Sequence, residues 1–281
     1  MDLLEETKQL CALYHIKPTR SRGQNFLITP QVYDEIIESS GLRPADKVLE
    51  VGSGLGFLTI RLAEIVEEVV AVELDRGLAE VLRTRLEMKE VKNVHVIQNN
   101  ILDFTTFKNL PKGFTDNYKI VANLPYNITS IFLRKFLEGN FKPTSLTLML
   151  QKEVAERIVA DKGDMSLLAL SVQFFAKARI IAPVTKHDFW PAPAVDSAII
   201  HLQVIDKYQS VDQKQFFRLA KIGFSSKRKM LKNNLANGLK ISTIETQNMI
   251  IKAGLNPLIR AEDLGLDDWV KLLGLAKQFM L

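Results

Sequence analysis

At 281 residues the chain exceeds the usual size of one compact core, so one large domain with an appendage, or two unequal domains, is expected; 47% apolar and 25% charged residues exclude a disordered, collagen-like or disulfide-stapled protein. One cysteine, Cys11, and four histidines without ligand spacing argue against a metal and for a reducing compartment, and no apolar run reaches the ~18 to 20 residues of a bilayer span, so a cytoplasmic protein with no membrane or metal partner is expected. The net charge of +5 is uneven: residues 1–200 carry 24 Lys and Arg against 25 Asp and Glu, and residues 201–281 carry 13 against 7, which places any polyanionic partner on the C-terminal part.

Residues 3–14 read as a helix, and IKPTRSRG at 16–23 follows as a basic arm holding Lys17, Arg20 and Arg22 without an acid. From Lys47 the pattern repeats: a strand KVLEV, a glycine turn, a helix over 57–66, a strand VVAVEL, then a charged helix over 76–89. Further strands are VHVIQ at 94–98, KIVAN at 119–123 and SLTLML at 145–150, with helical segments between. Short β-branched runs alternating with helical stretches predict a parallel sheet covered on both faces. Two final strands, ARIIAPV and SAIIHLQVI, are joined through the proline-rich turn FWPAPAVD. Beyond Ile205 the chain turns helical: residues 207–215 read as a polar linker, and helices are predicted over 216–220, 227–239, 243–253 and 266–279. The expected organisation is an α/β domain over 1–205 and a small helical domain over 206–281.

The first chemical motif, Glu50-Val51-Gly52-Ser53-Gly54-Leu55-Gly56, directly follows a strand and opens a helix. Glycines there allow a tight turn and close approach of a ligand to the backbone. Glu73, at the end of the next strand, is placed to bind the two hydroxyls of a ribose, so Gly52, Gly54, Gly56 and Glu73 together indicate an adenosine-containing cofactor. The dinucleotide fingerprint is G-x-G-x-x-G with a pyrophosphate at the helix N-terminus; the G-x-G-x-G found here, preceded by an acid, favours a nucleoside with an amino-acid tail, such as S-adenosylmethionine.

The second motif, Asn123-Leu124-Pro125-Tyr126, ends the fourth strand, on the sheet edge where α/β folds bind ligands. The Asn123 side chain and the Leu124 carbonyl can accept both hydrogens of an exocyclic amine, and Tyr126 can stack on the base that carries it. A third feature, residues 221–232, holds Lys221, Lys227, Arg228, Lys229 and Lys232 with no acid, as a phosphate-contacting helix would; a solvated helix face is the other reading.

GQNFL at 23–27, the glycine loop, Glu73, NLPY, FWPAPAVDS at 189–197 and FSSKRKML at 224–231 occur in this order across most of the chain. The set resembles the rRNA adenine N6,N6-dimethyltransferase family, most closely its small-subunit (KsgA) type. The resemblance implies a Rossmann-like class I methyltransferase domain with a small C-terminal helical domain, S-adenosylmethionine as cofactor, and small-subunit rRNA or a pre-small ribosomal subunit as partner. It implies Asn25 and Leu27 as closing the cofactor pocket, with Gly52 and Glu73 on the methionine and ribose parts. The family's acid after the third strand falls on Asn100, a departure that leaves an amide oxygen for the adenine amine; Asp103 is a candidate substitute. Phe189 is implied as a second stacking face opposite Tyr126; from the charge pattern alone, Arg20 and Arg22 are expected to bracket the cleft with the cations of residues 221–232. Competing readings are an erythromycin-resistance-type enzyme acting on large-subunit rRNA, a non-catalytic RNA-binding assembly or transcription factor, and a small-molecule methyltransferase.

Overall fold

The protein is described from a computed structural model, which covers residues 2–19, 23–103, 110–139 and 141–280. It divides into two compact units: Met1–Ala155 with Lys177–Val204, and Glu156–Ala176 with Ile205–Leu281.

The first unit opens with α1 (Leu3–Leu13), capped by Asp2 and tied down by an ion pair of 2.8 Å from Glu6 to Arg85. Next come β1 (Phe26–Leu27), α2 (Pro30–Ser40), β2 (Lys47–Val51), α3 (Phe57–Ala63), β3 (Glu68–Glu73), α4 (Arg76–Met88) and β4 (Val94–Gln98). Then follow β5 (Tyr118–Asn123), α5 (Thr129–Glu138), β6 (Ser145–Gln151), α6 (Lys152–Ile158) and α7 (Leu167–Gln173), of which α7 and the end of α6, from Glu156, belong to the second unit. The last strands are β7 (Ala176–Val184), β8 (Phe189–Trp190) and β9 (Ser197–Val204). Seven strands form one sheet in the order β4-β3-β2-β5-β6-β9-β7. From β4 to β6 every neighbouring pair is parallel; β9 departs from the all-parallel expectation by pairing antiparallel with β6, Leu148 opposite Ile200.

The sequence dictates this layering. Strands β2, β3, β5 and β6 are buried along nearly their whole length, on both faces, and each carries a short apolar stretch of Val, Ile, Leu, Ala or Met. Helix α4 starts where Asp75 accepts the Leu78 amide at 3.2 Å, a cap worth about 1 kcal/mol. Successive strands run from β2 outward to β4, and the chain then returns to lay β5 on the other side of β2. That reversal leaves a crevice beyond the carboxyl ends of β2 and β5.

The remaining elements build the second unit: α8 (Gln213–Gly223), α9 (Leu231–Leu239), α10 (Thr243–Lys252) and α11 (Leu266–Ala276). Trp269 is wholly buried and stacks on Phe224 at 5.7 Å, and truncating such a side chain typically costs about 3–5 kcal/mol. Three features differ from the sequence reading. Residues 156–176 join this unit because Phe174 packs on Phe216 at 4.6 Å and on Tyr208 at 5.3 Å, and Ile205 donates to the Phe175 carbonyl at 2.8 Å. Residues 207–212 are an ordered connection rather than a polar linker, since Tyr208 is buried with its hydroxyl on Asp267 at 2.7 Å. Residues 224–230 form a turn rather than the start of a helix, because the Asn234 amide donates to the carbonyls of Gly223 and Ser226, at 2.6 and 3.0 Å, and holds the chain off the helical path.

Candidate active site

A cavity of about 250 Å³ lies at the carboxyl ends of the parallel strands, entirely within the first unit. Its floor is the turn after β2. Gly52 has φ +75°, a left-handed backbone that favours glycine, and a Cβ there would stand in ordinary contact with the Asn123 carbonyl oxygen at 3.4 Å. Gly56 caps α3 in the left-handed region (φ +82°), where a Cβ would run into the Leu82 side chain.

The walls come from segments far apart in sequence. Gly23 approaches Pro125 closely enough that a Cβ would stand 3.3 Å from the proline ring, which brings residues 23–27 against the NLPY segment. Gln24 helps fix that segment: its side-chain oxygen accepts the Thr19 amide at 2.8 Å and its amide reaches Asp75 at 3.4 Å. Leu27 is buried, with its carbonyl accepting the Tyr33 hydroxyl at 3.0 Å, and β1 pairs with β8 in register Leu27 opposite Phe189.

Two buried carboxyls face the cavity. Glu73 accepts the Gly54 amide at 2.8 Å on one oxygen and the Asp75 amide at 2.9 Å on the other; each oxygen keeps a lone pair for a ligand hydroxyl. Burial raises the Glu73 carboxyl above the usual range despite those bonds. Glu50 is 1% exposed, and its Oε2 has no hydrogen-bond partner among the described residues. Burial pushes its carboxyl up to about 8, with the neighbouring Thr59 hydroxyl pulling it back and the charge of Glu73 adding to the rise. A buried carboxyl with an unused oxygen calls for a donor, and an ammonium is the strongest available. Ser53 likewise buries an unpartnered hydroxyl there. S-adenosylmethionine fits this set: its ammonium would meet Glu50, its ribose Glu73, and its amino-acid tail the open floor at Gly52.

Of the residues expected at the cofactor, Asn25, Leu27, Gly52, Gly54, Glu73, Asn100 and Asn123 all line the cavity, while Gly56 shapes the helix start behind it. Asn100 spends its side-chain oxygen on the Leu102 amide at 3.0 Å, leaving one lone pair for an adenine amine. Asp103, the other candidate for that contact, is exposed and lies outside the lining, whereas Asn100 is part of it. Residues that sequence reasoning missed include Tyr33, Ser53, Asp75 and Asn127. Ser53 sits inside the glycine motif and could have been read from it; Tyr33 carries no local mark.

Pro125 joins Asn123 in the lining, and the other two residues of NLPY, Leu124 and Tyr126, lie just outside it. Leu124 is buried with its amide on the Met149 carbonyl at 3.3 Å. The Tyr126 hydroxyl shares a hydrogen bond of 2.7 Å with Ser197 at the start of β9, and burial raises the phenol above its usual range, so it stays protonated. Phe189 differs from the expectation of a stacking face: at 3% exposed it belongs to the hydrophobic core, because pairing of β8 with β1 turns its ring inward. Lys221, Lys227, Arg228 and Lys229 are exposed in the second unit, whereas Lys232 is half-buried and donates to Gln247 at 3.1 Å. Arg20 and Arg22 lie outside the described residues. Among the described residues no cluster of His, Cys, Asp and Glu could hold a metal, and no helix is long and apolar enough to cross a membrane.

Comparison with known proteins gives this geometry relatives. A ribosomal RNA small subunit methyltransferase A of Dehalococcoides mccartyi (strain CBDB1) is 41% identical over 272 residues, covering 96% of this chain and 92% of the relative. Among solved structures, a dimethyladenosine transferase from Plasmodium falciparum superposes with a TM-score of 0.75 at 25% identity, covering 89% of this chain and 97% of that one. The 23S rRNA methyltransferase ErmE superposes with a TM-score of 0.72 at 25% identity, covering 90% and 100%. The α/β architecture is thus that of Rossmann-like class I methyltransferases. With the ribosomal RNA adenine dimethylase profile matching residues 16–278, and with the glycine turn and NLPY meeting at one cavity, the chain belongs to the ribosomal RNA adenine dimethylase family.

Proposed function

We propose that the protein transfers two methyl groups from S-adenosylmethionine to the N6 amine of adenines in small-subunit rRNA, in the cytoplasm, as a step of ribosome biogenesis. The observation that carries the reading is the position of Asn123: it lines the cofactor cavity and is also the first residue of NLPY, so the site for the cofactor and the site for a base amine share a side chain.

When bound, the cofactor supplies an electrophilic methyl on a sulfonium leaving group. The chain supplies orientation. An adenine N6 is a weak nucleophile because its lone pair is delocalised into the ring; accepting its hydrogens on the Asn123 amide oxygen and the Leu124 carbonyl favours a pyramidal nitrogen whose lone pair faces the cavity. Tyr126, anchored through Ser197, presents its ring to an extruded base, and unstacking costs least in a loop or single strand. The N6 proton becomes acidic as the nitrogen alkylates, so water suffices to remove it. Alignment of this kind can lower a barrier by about 7–11 kcal/mol. Buried Phe189 supports the cavity mouth through the β1–β8 pairing, and the exposed Lys227, Arg228 and Lys229 supply phosphate contacts.

A large-subunit target is the second reading, since ErmE shares the fold. The 41% identity over nearly the whole chain to a small-subunit enzyme, against 25% to ErmE, favours the small subunit. Purified small and large subunits lacking the modification, incubated separately with labelled S-adenosylmethionine and digested to nucleosides, decide the matter. Dimethyladenosine from the small subunit alone is expected; label confined to the large subunit rejects the proposal.

A further inference from the structure

A second cavity, of about 390 Å³, shares no lining residue with the cofactor site. Its apolar side is Cys11, Ala12, Ile16 and Trp190; Lys8, His15 and Lys17 complete the lining, and among the described residues no acid contributes. The Cys11 thiol is buried and raised by burial, so that side stays uncharged. Trp190 is half-buried against the core of the first unit and fixed by pairing of β8 with β1, opposite Phe26. Helix α1 is held in place by the Glu6–Arg85 pair, and His15, in the left-handed region at φ +55°, turns the chain off its end, with the Ile16 amide on the Cys11 carbonyl at 2.8 Å. Lys8 also touches Glu5 at 3.2 Å, but that pair is exposed on both sides and of a kind that contributes little, so Lys8 is free to exchange it for a stronger anion.

A rigid aromatic plate beside two lysines and a histidine is the combination that holds one unpaired nucleotide: the base stacks and the cations take the flanking phosphates. The cofactor chemistry uses none of these residues. We propose that this cavity is a stacking subsite for a single unpaired nucleotide of the RNA substrate, with the base on Trp190 and the phosphates on Lys8 and Lys17. The inference rests on the RNA-modifying reading above and adds to it a place where substrate RNA is held apart from the reacting adenine. Trp190 also stands seven residues before Ser197, the anchor of Tyr126, so the same stretch carries both contacts.

The test uses the full chain and a hexaribonucleotide of adenosine at low salt, read by tryptophan emission and by anisotropy of a labelled copy. Trp269, the other tryptophan, is wholly buried and gives a constant background. Saturable quenching is expected in the unaltered protein. Trp190→Phe loses the quenching while keeping affinity within about threefold, because a stacking face remains; Trp190→Leu weakens binding roughly 5- to 100-fold. Lys8→Gln and Lys17→Gln each lower the salt slope by about 0.7. Cofactor binding by calorimetry checks that each variant is folded. Unchanged affinity in Trp190→Leu, or quenching that persists in Trp190→Phe, overturns the subsite, as does adenosine monophosphate binding as tightly as the hexamer. Methylation of small subunits, measured in parallel, separates the two readings: activity in the unaltered protein with no loss of affinity in Trp190→Leu sinks the subsite alone, whereas no activity sinks the functional reading and leaves the subsite to be judged by the quenching.

Discussion

The hydroxyl of Tyr126 and the hydroxyl of Ser197 stand 2.7 Å apart, linking the NLPY segment at the end of β5 to the start of β9, 71 residues later. Ser197 is fully buried and touches no part of the cofactor cavity, so its effect on the reaction runs through the angle at which the tyrosine ring is held. Ser197→Ala is expected to lower kcat roughly 2- to 10-fold, the worth of one net hydrogen bond, with cofactor affinity unchanged. Tyr126→Phe breaks the same bond, so the double variant should be little worse than either single one. Losses that multiply in the double variant would show that the two hydroxyls act separately.

Asn123 has the larger expected effect because the proposed reaction puts it against both ligands. Replacing it by Ala removes an acceptor that is aligned only as the amine pyramidalises, and losses of a positioned polar contact of this type are about 100- to 1,000-fold in rate. The side chain is half-exposed at a strand end, so the melting temperature should hardly move. Single-turnover methylation against calorimetric cofactor binding separates the roles: a large fall in rate with less than tenfold weaker cofactor binding is expected, and equal falls in both would make Asn123 a cofactor ligand only.

How far the sequence alone reaches depends on the range of the contacts involved. The cofactor turn and NLPY are legible because each is local: a strand, a tight turn and its ligand groups lie within ten residues. Strands β2, β3, β5 and β6 are equally plain, since burial on both faces leaves an apolar run. The pairing of Phe26–Leu27 with Phe189–Trp190 is invisible for the opposite reason; two residues show no periodicity, and the partners are about 160 residues apart. Residues 156–176 read as part of the first domain because the rings that claim Phe174, at Tyr208 and Phe216, come later in the chain. Lys227–Lys229 read as helix because Lys and Arg favour it, and the overriding contact is a single amide on Asn234.

Glu50 makes stability pH-dependent with a definite sign. Its carboxyl titrates near 8 in the folded, cofactor-free protein and near the ordinary 4.5 when unfolded, so between those values the folded state holds the extra proton. Stability contributed by this group is therefore greatest below about pH 4.5 and declines as pH rises to about 8. Glu50→Gln keeps the shape without the proton, and its melting temperature should fall less between pH 6 and pH 8 than that of the unaltered protein. An ammonium placed against Glu50 favours the carboxylate, so cofactor binding should release a proton in that window and tighten with rising pH; calorimetry in buffers of different ionisation enthalpy reads the proton directly. Binding without proton release at pH 6.5 would remove Glu50 from the cofactor's cationic end.

Gly52 is sensitive on two counts, its left-handed backbone and its place in the cavity lining. Gly52→Ala should cost about 1–2 kcal/mol of stability through the backbone alone. The added methyl also intrudes on the cavity that Gly52 lines, so cofactor affinity should fall at least about tenfold. Gly163 is the control: it also has positive φ (+107°) but nothing within 4 Å of the position a Cβ would take, so Gly163→Ala should lose stability without losing cofactor.

The basic turn of the second unit can be tested by the salt dependence of binding. Lys227, Arg228 and Lys229 are exposed on a turn fixed from below by Asn234, so neutralising them leaves the packing of Trp269 and Phe224 untouched. Each phosphate contact releases condensed counterions and contributes about 0.7 to 0.9 to the slope of log affinity against log salt. The triple variant to Gln should bind unmodified small subunits more weakly at low salt and with a slope smaller by about 2 to 3, while cofactor binding and melting temperature stay constant. Lys232 is already engaged with Gln247, and Lys232→Gln should change the slope by much less than one contact. A triple variant with an unchanged slope would mark the cluster as a solvated surface and leave the chain's basic excess beyond residue 200 to act elsewhere.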